Sequence, residues 1–140
     1  MTSRLSHQAP ASCSRASPAA NCNGNLSARA EALKPTLNLF NAAKSWGVAI
    51  FFVTGRQDRF DLRDATVTNL KRAGYDGWED LIMRPIASAG SVTDYKSSAR
   101  KGIQERGYRI IAKIGDQQSD LDGDFADKTF RVPNPFYFIP

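Results

Sequence analysis

The sequence predicts an α/β fold with a mainly parallel sheet. Helical patterns alternate with short apolar runs from residue 28 to the end of the chain. The run Val48–Val53 is continuously apolar, which is typical of a strand covered on both faces. Alternation of helices and strands in this order favours parallel strands joined by crossover helices. Ligands of such sheets bind at the carboxyl ends of the strands, so the residues that follow each strand are the candidate site.

The first helix is predicted from Lys34 or Pro35 to Trp46, because apolar residues recur there at helical spacing and Gly47 follows. The first strand is predicted at 48–53. A second helical pattern covers about 62–72, and residues 81–83 form a short strand candidate that Pro85 stops.

The second half of the chain continues the alternation. A helix is predicted from Asp94 to Arg106, with Thr93 as its N-cap and Gly107 after its end. Residues 108–114 and 129–132 are the last two predicted strands. The stretch between these strands is predicted to be a loop.

Composition divides the chain of 140 residues into two parts. Residues 1–27 contain six serines and five alanines with almost no large apolar side chains, so we expect a disordered or non-native tail. This tail has no apolar core of the length that a secretory signal needs. Residues 28–140 have the composition of one small domain. No apolar run approaches the length of a membrane span, so no membrane partner is expected.

The tail also holds the only histidine, His7, and the only cysteines, Cys13 and Cys22. A Ser-His-Asp or Cys-His site, or a zinc site of histidine and cysteine, is therefore excluded from the predicted domain. Chemistry in that domain must use Asp, Lys, Arg, Thr or Ser. A disulfide between the two cysteines stays open, since two cysteines in a tail are weak evidence.

The net charge of +5 lies in the first 57 residues, where six basic residues face Glu31 alone. Such a basic segment could bind nucleic acid or an anionic surface. The basic residues are scattered, however, and form no dense cluster. A solvated surface is the preferred interpretation, and no nucleic-acid partner is expected.

Polar residues follow two predicted strands and begin one helix. Thr54-Gly55-Arg56 follows the first strand and offers a hydroxyl, a close backbone approach and a guanidinium group. The stretch 115–120 carries Asp116 and Asp120, a spacing that suits Mg²⁺. Lys96 lies near a helix start, where a cation makes most sense opposite an anion. Alone, each feature is an ordinary turn or a solvated lysine; together they indicate a site for phosphate and a metal.

These motifs resemble the haloacid dehalogenase-like (HAD) superfamily, in the acid phosphatase branch that includes class B acid phosphatases and plant vegetative storage proteins. The resemblance extends from about Ala32 to the C-terminus. It is carried by five stretches of the sequence, namely Phe51–Arg56, Ala65–Tyr75, Tyr95–Arg100, Gly115–Leu121 and Pro133–Tyr137.

The resemblance implies a three-layer, Rossmann-like core and hydrolysis of a small phosphomonoester through an aspartyl-phosphate, with Mg²⁺. It makes Thr54, Gly55, Arg56 and Lys96 the phosphate-binding residues, Lys96 also the catalytic cation, and Asp116 a metal ligand. Asp120 is then a metal ligand or supports one. The family often works outside the cytoplasm, but the sequence leaves localisation open.

One departure from the family pattern concerns its Asp-x-Asp-x-Thr motif, which supplies the nucleophile and the acid at the end of a central first strand. The first aspartate here is Asp58, after Thr54-Gly55-Arg56. We therefore expect impaired or absent activity and weakened metal binding, with a non-catalytic phosphate-binding or storage-type relative as the alternative. A truncated or shifted reading frame is one hypothesis for the change in composition near Ala28.

The absence of a central first strand also has a structural consequence. The strands at 48–53 and 109–114 must either pair directly or leave backbone groups unpaired in the core. Unpaired buried groups cost about 1–3 kcal/mol each, so we expect marginal stability.

Overall fold

The structure is a computed structural model that describes residues 31–134. The predictions for residues 1–27, including His7, Cys13 and Cys22, lie outside the described residues, as does the motif end Pro135–Tyr137. In the described part the chain is α/β, as the sequence predicts. No helix within 31–134 combines the length and apolarity that crossing a membrane requires.

Helices and strands alternate along the described chain. The first half contains α1 (Lys34–Ser45), β1 (Phe51–Gln57), α2 (Phe60–Arg72) and β2 (Asp80–Arg84). The second half contains α3 (Val92–Glu105), β3 (Ala112–Gly115), α4 (Gln118–Leu121) and β4 (Lys128–Arg131). The predicted loop after β3 thus includes α4, a single helical turn that is too short to show a helical period.

Within residues 31–134, the strands form two parallel pairs. β1 pairs with β2, with Phe52 opposite Leu81 and Thr54 opposite Met83. β3 pairs with β4, with Ile114 opposite Phe130. Among the described residues, β1 and β3 are not paired with each other. Of the two arrangements expected for these strands, direct pairing of β1 with β3 is therefore not present within residues 31–134.

Two strand boundaries differ from the prediction. β1 starts at Phe51 and continues to Gln57, because its pairing with β2 resumes at Gln57 and Arg84 after an irregularity in the register. The predicted strand 48–53 was therefore placed about three residues early, and Thr54–Arg56 belong to the strand. β3 is shorter than the predicted 108–114, since ladder pairing with β4 begins only at Ala112.

The start of α3 corrects another prediction. Ser91, not Thr93, is the N-cap: its hydroxyl accepts a hydrogen bond from the Asp94 N–H at 3.0 Å. Asp94 accepts in return from the Ser91 N–H at 3.3 Å, which completes a capping box. The helix consequently begins at Val92 rather than Asp94.

An aromatic cluster forms the core between β1 and α1. Phe40 of α1 stacks on Phe52 of β1 at 6.0 Å, and Tyr75 meets both rings edge-on at 5.1 and 5.5 Å. Leu81, Met83 and Ile103 are the other buried apolar side chains among residues 31–134. No described side chain is less than 2% exposed, which agrees with a small core.

Polar and aromatic contacts at the start of the strands join the two strand pairs. Arg106 donates to Asp80 at 2.8 Å, and the Tyr108 hydroxyl donates to Glu79 at 3.1 Å. The Tyr108 ring also lies edge-on to Phe51, with centroids 4.9 Å apart. The segment before β3 is therefore fixed against the beginnings of β1 and β2.

Candidate functional site

Lys96 is the buried cation of the site. It is the fifth residue of α3, two positions further into the helix than predicted, and only 5% of it is exposed. Its ammonium group lies 2.5 Å from Asp120 Oδ1 and donates to the Ser119 hydroxyl at 3.1 Å. A buried charge is stable only when it is paired, so this contact fixes the position of the ammonium group.

Asp120 is held over the end of β3 by a second set of contacts. Its Oδ2 accepts a hydrogen bond from the Gln117 backbone N–H at 3.1 Å. Gly115, the last residue of β3, makes this approach possible, because a Cβ added there would lie 2.0 Å from the Asp120 Cβ. Such a separation is far below any real carbon–carbon contact, so the position requires glycine.

Asp116 occupies the next position along the same turn and is half-buried. Its Oδ2 accepts hydrogen bonds from the Gln117 side-chain amide at 3.0 Å and from the Asn134 amide. Because Asn134 follows β4, this contact joins the turn after β3 to the chain beyond β4. The structure thus brings the three predicted residues Lys96, Asp116 and Asp120 together through Gln117.

Thr54, Gly55 and Arg56 form the end of β1, on the other strand pair. The Thr54 hydroxyl accepts a hydrogen bond from the Arg56 N–H at 3.3 Å. A Cβ on Gly55 would lie 3.0 Å from a methyl group of Val92, so this glycine lets the first turn of α3 pack on β1. Since Lys96 lies on that same helix, α3 positions both parts of the predicted site.

Arg56 turns toward α2. Its guanidinium group donates to the Thr66 hydroxyl at 3.2 Å, and Thr66 donates in turn to the Leu62 carbonyl at 2.7 Å. The structure thus shows the Arg56 side chain bound to a buried threonine. That Arg56 contacts phosphate stays a prediction.

Two basic side chains contact the backbone of α4 and of the residues after it, and neither was predicted as a site residue. They are Arg100 and Lys113. Arg100, 5% exposed, donates to the carbonyls of Asp120 and Asp122 at 3.3 and 2.5 Å. Burial lowers the pKa of Arg100, and the nearby Asp120 and Asp122 carboxylates oppose that effect. Lys113 donates to the carbonyls of Asp122 and Gly123. These contacts hold the loop after β3 against both α3 and β3.

A second cluster lies where β1 and β2 end. Arg63 binds both Asp58 oxygens, each at 2.7 Å, and this hydrogen bonding lowers the pKa of Asp58. Burial, with a smaller contribution from Asp58, raises the pKa of Tyr95 to about 12. The Tyr95 hydroxyl is buried and has no hydrogen-bond partner in residues 31–134.

The donor set partly fits a divalent cation. Within residues 31–134, no three histidine, cysteine, aspartate or glutamate side chains come together as a metal site. Asp120 has both oxygens engaged, by Lys96 and by the Gln117 N–H. Asp116 supplies a carboxylate, and Mg²⁺ commonly takes one or two carboxylates with water and substrate oxygens completing its shell. Asp116 thus fits a magnesium site of that kind, with Asp120 in a supporting position.

Ser119, Gln117 and Arg100 are the polar residues that sequence reasoning missed as partners of the predicted site. Ser119 and Gln117 lie inside the Gly115–Asp120 motif, and both are buried. Their only signal in the sequence was their place between the two aspartates. Arg100 is one helical turn from Lys96, a spacing that puts both side chains on one face of α3.

Comparison with known proteins gives a consistent picture. Residues 25–140 match the family described as HAD superfamily, subfamily IIIB (acid phosphatase). A stem 31 kDa glycoprotein of Glycine max is 42% identical over 113 residues, covering 79% of this chain and 44% of that protein. Acid phosphatase 1 of Solanum lycopersicum is 40% identical, covering 79% and 43%. Vegetative storage protein 1 of Arabidopsis thaliana is 35% identical, covering 77% and 39%.

A solved structure has the same fold. The class C acid phosphatase from Bacillus anthracis, with tungstate bound, superposes with a TM-score of 0.64 at 24% identity. The match covers 83% of this chain and 54% of that one. The chain spans less than half the length of the three plant relatives.

Proposed function

The chain belongs to subfamily IIIB of the HAD superfamily, the acid phosphatases, and from this premise we propose that it binds the phosphoryl group of a small phosphomonoester. The observation that carries the proposal is the buried Lys96, whose ammonium group is held by Ser119 and Asp120 beside the end of β3. The membership confirms the resemblance seen in the sequence.

We propose that the phosphoryl group lies between the end of β1 and the turn after β3. Thr54 would donate its hydroxyl to a phosphate oxygen, and the backbone at Gly55 would approach closely. Lys96 would contribute a positive charge from α3, which packs on β1 at Val92 and reaches Asp120 on the other side. Charge-assisted hydrogen bonds of this kind are the strongest that a protein offers to a phosphate.

We propose that Mg²⁺ binds with Asp116 as a protein ligand and with Asp120 in support. When bound, the cation would neutralise charge on the phosphoryl oxygens. Asp116 is presented for this role by the Gln117 and Asn134 amides, which both donate to one of its oxygens. Gly115 and Gln117 fix the conformation of the turn that carries Asp116 and Asp120.

We propose that the 140-residue polypeptide hydrolyses phosphomonoesters slowly or not at all. The family reaction needs a carboxylate nucleophile, and the first aspartate of this sequence is Asp58. Both of its oxygens are bound by Arg63 at 2.7 Å, so Asp58 is poorly placed to attack phosphorus. Phosphate binding would remain, because Thr54 and Lys96 do not depend on that nucleophile.

A storage-type role is the second candidate function. Two of the plant relatives carry the names stem 31 kDa glycoprotein and vegetative storage protein 1. A storage-type chain would keep the fold without needing the phosphate site, so the two candidates differ in whether Lys96 affects ligand binding.

The test is calorimetric titration of the purified 140-residue chain with inorganic phosphate, with and without Mg²⁺. We expect binding that Lys96→Ala weakens about tenfold or more, since losing a charged hydrogen bond costs about 1.5–3 kcal/mol. Lys101→Ala is the matched control, because Lys101 lies on the same helix and its side chain is 63% exposed. Absence of binding in the unmodified chain would reject phosphate binding and favour the storage role.

Hydrolysis is measured separately, with a chromogenic phosphomonoester. We expect no turnover above the level of a Lys96→Ala sample. Mg²⁺-dependent turnover that disappears in Lys96→Ala would mean that another carboxylate replaces the family nucleophile, and the proposal of an inactive chain would be wrong.

A further inference from the structure

The two carboxylates of the turn after β3 are hydrogen-bonded in different ways. Both oxygens of Asp120 are engaged, Oδ1 by Lys96 and Oδ2 by the Gln117 backbone N–H. The two donors to Asp116, which are the side-chain amides of Gln117 and Asn134, both bind its Oδ2. In the described part of the chain, Oδ1 of Asp116 accepts no hydrogen bond. Asp116 therefore has one oxygen that is held and one that can bind a ligand.

Both amides that hold Asp116 are themselves fixed in place. Gln117 is only 3% exposed, so its side chain has little freedom to leave the carboxylate. Asn134 belongs to the chain after β4, where the Val132 N–H donates to the Gly115 carbonyl at 2.9 Å. The contact from Asn134 thus depends on the pairing of β3 with β4. Together the two amides hold the Asp116 carboxylate in one orientation.

A carboxylate that offers a single oxygen suits Mg²⁺ better than Ca²⁺. Mg²⁺ demands a near-octahedral shell and keeps several waters, so one oxygen from a carboxylate is sufficient. Ca²⁺ takes about six to eight oxygen ligands and often binds both oxygens of one carboxylate. Two amide donors on Oδ2 of Asp116 compete with a cation for that oxygen. The hydrogen bonding of Asp116 therefore bears on which cation the site prefers.

We propose that Gln117 and Asn134 are positioning residues that restrict Asp116 to binding a cation through Oδ1, and that they thereby favour Mg²⁺ over Ca²⁺. This inference rests on the proposed function, in which Asp116 is a ligand of Mg²⁺. It adds that the chain after β4 takes part in the choice of metal. Neither amide contacts the cation, since both act through Asp116. Replacing a residue that orients a metal ligand commonly lowers metal affinity about 10–100-fold.

The test uses metal ions alone on the 140-residue chain. Mn²⁺ is the probe, because it takes the same oxygen ligands as Mg²⁺ and its free form is measured by electron paramagnetic resonance. Mg²⁺ and Ca²⁺ then displace Mn²⁺ in separate titrations, which gives the affinity for each. Asp116→Asn identifies binding at this site, since it should weaken the binding of all three ions.

Two single variants and their combination decide the proposal. Asn134→Leu and Gln117→Met each replace an amide by an apolar group of similar size. We expect each variant to weaken Mg²⁺ binding about tenfold or more. Ca²⁺ binding should weaken less, because a released Asp116 can offer both oxygens to Ca²⁺. The double variant should show the largest rise in the ratio of Ca²⁺ affinity to Mg²⁺ affinity.

The chain offers a matched control for each substitution. Gln118→Met changes the neighbouring glutamine, whose amide binds Asp122 at 2.6 Å instead of Asp116. Asn38→Leu changes an exposed asparagine of α1. Neither control should alter the ratio of the two affinities.

The outcomes separate this inference from the proposed function. Equal weakening of Mg²⁺ and Ca²⁺ binding would mean that the amides only support the fold of the turn, and would overturn the inference. Unchanged Mg²⁺ affinity in the double variant would overturn it as well, while the magnesium site itself would stand. Absence of metal binding, or binding that Asp116→Asn leaves unchanged, would overturn the proposed magnesium site and this inference together.

Nuclear magnetic resonance of the unmodified chain gives a second measurement that needs no variant to fold. The side-chain amide protons of Gln117 and Asn134 report on Oδ2 of Asp116 directly. We expect these protons to stay hydrogen-bonded when Mg²⁺ is added, with slow exchange against solvent. Loss of both hydrogen bonds on adding Mg²⁺ would mean that the cation takes Oδ2, and would overturn the inference.

Discussion

Lys96 and Asp120 form a salt bridge in which Nζ lies 2.5 Å from Oδ1, with side chains only 7% and 18% exposed. The two residues are 24 positions apart in the sequence, one within α3 and the other in α4. The bridge therefore closes the turn after β3 onto the helix that also packs on β1. Removing one partner would leave a buried charge without its counter-ion, which is strongly destabilising.

We expect Lys96→Met to lower the free energy of unfolding by about 3 kcal/mol, the cost of breaking one side of a buried ion pair. The double variant Lys96→Met, Asp120→Leu should be more stable than Lys96→Met alone, since no lone charge remains. Urea unfolding of the two variants measures both effects.

Lys101→Met is the control for this comparison. Its ammonium group lies 3.8 Å from Glu105, and both side chains are more than 60% exposed. Exposed pairs contribute about 0.2–1 kcal/mol at most. A loss for Lys96→Met no greater than that for Lys101→Met would contradict the buried salt bridge.

Gly115→Ala should destabilise the fold by about 3 kcal/mol or more, because overpacking of this kind displaces backbone as well as side chains. The added Cβ would lie 2.0 Å from the Asp120 Cβ. Thermal and urea unfolding of the variant measure the loss of stability. An unchanged fold and an unchanged stability would contradict the close approach of Asp120 to Gly115.

Gly102→Ala is the matched control. Gly102 lies within α3, and a Cβ there would meet nothing within 4 Å. Alanine exceeds glycine in helix propensity by about 1 kcal/mol, so this variant should be more stable than the original chain. A loss of stability in Gly115→Ala together with a gain in Gly102→Ala would show that the loss comes from steric overlap at position 115 and not from replacing glycine by alanine as such.

The sequence predicts those residues of the site that are charged and that lie near the end of a predicted strand or the start of a predicted helix. Lys96, Asp116 and Asp120 stand out because charged residues after strands need an explanation. Ser119 and Gln117 did not stand out, because a hydroxyl or amide in a turn is common. Their burial depends on α3 and α4 packing together, which the spacing of residues along the chain does not encode.

The order of elements could also be predicted, whereas strand pairing could not. Apolar periodicity located all four strands to within a few residues, since it depends on neighbours in the sequence. The limits of β1 and β3 depend instead on partners about 16–29 residues away, as in the pairing of Phe51 with Asp80 and Gly115 with Arg131. The choice of Ser91 over Thr93 has a local origin: both residue types suit an N-cap, and the reciprocal contacts between Ser91 and Asp94 decide between them.

Ser91→Ala should lower the free energy of unfolding by about 1 kcal/mol, the usual cost of an N-cap. The Ser91 hydroxyl accepts from the Asp94 N–H and donates to the Asp94 carboxylate at 2.7 Å, so both contacts are lost. Ser98→Ala, an exposed position in the same helix, is the control and should be neutral or slightly stabilising. A similar loss at both positions would argue against the cap.

Stability should fall as the pH drops below about 4, in part because of Asp58 and Asp94. Hydrogen bonds from Arg63 and from Ser91 lower the pKa values of these carboxyl groups from the usual 3.8. A lowered folded-state pKa gives stability that is present above the unfolded pKa and lost as the pH falls through the folded one. Urea midpoints from pH 7 to pH 2 measure this loss. Asp58→Asn should make the slope shallower between pH 4 and 2, and an unchanged slope would contradict the assignment.

Tyr95→Phe should raise the free energy of unfolding by about 1 kcal/mol, because a buried hydroxyl without a partner costs about 1–3 kcal/mol. The Tyr95 oxygen is buried and unpartnered within residues 31–134, and its pKa of about 12 keeps it protonated under ordinary conditions. Tyr108→Phe is the matched control, since the Tyr108 hydroxyl donates to Glu79 at 3.1 Å and its removal should be neutral or destabilising. Urea unfolding at pH 7 compares the three proteins. Destabilisation by Tyr95→Phe would show that the hydroxyl does have a partner, which would then lie beyond the contacts described between β1, β2 and α3.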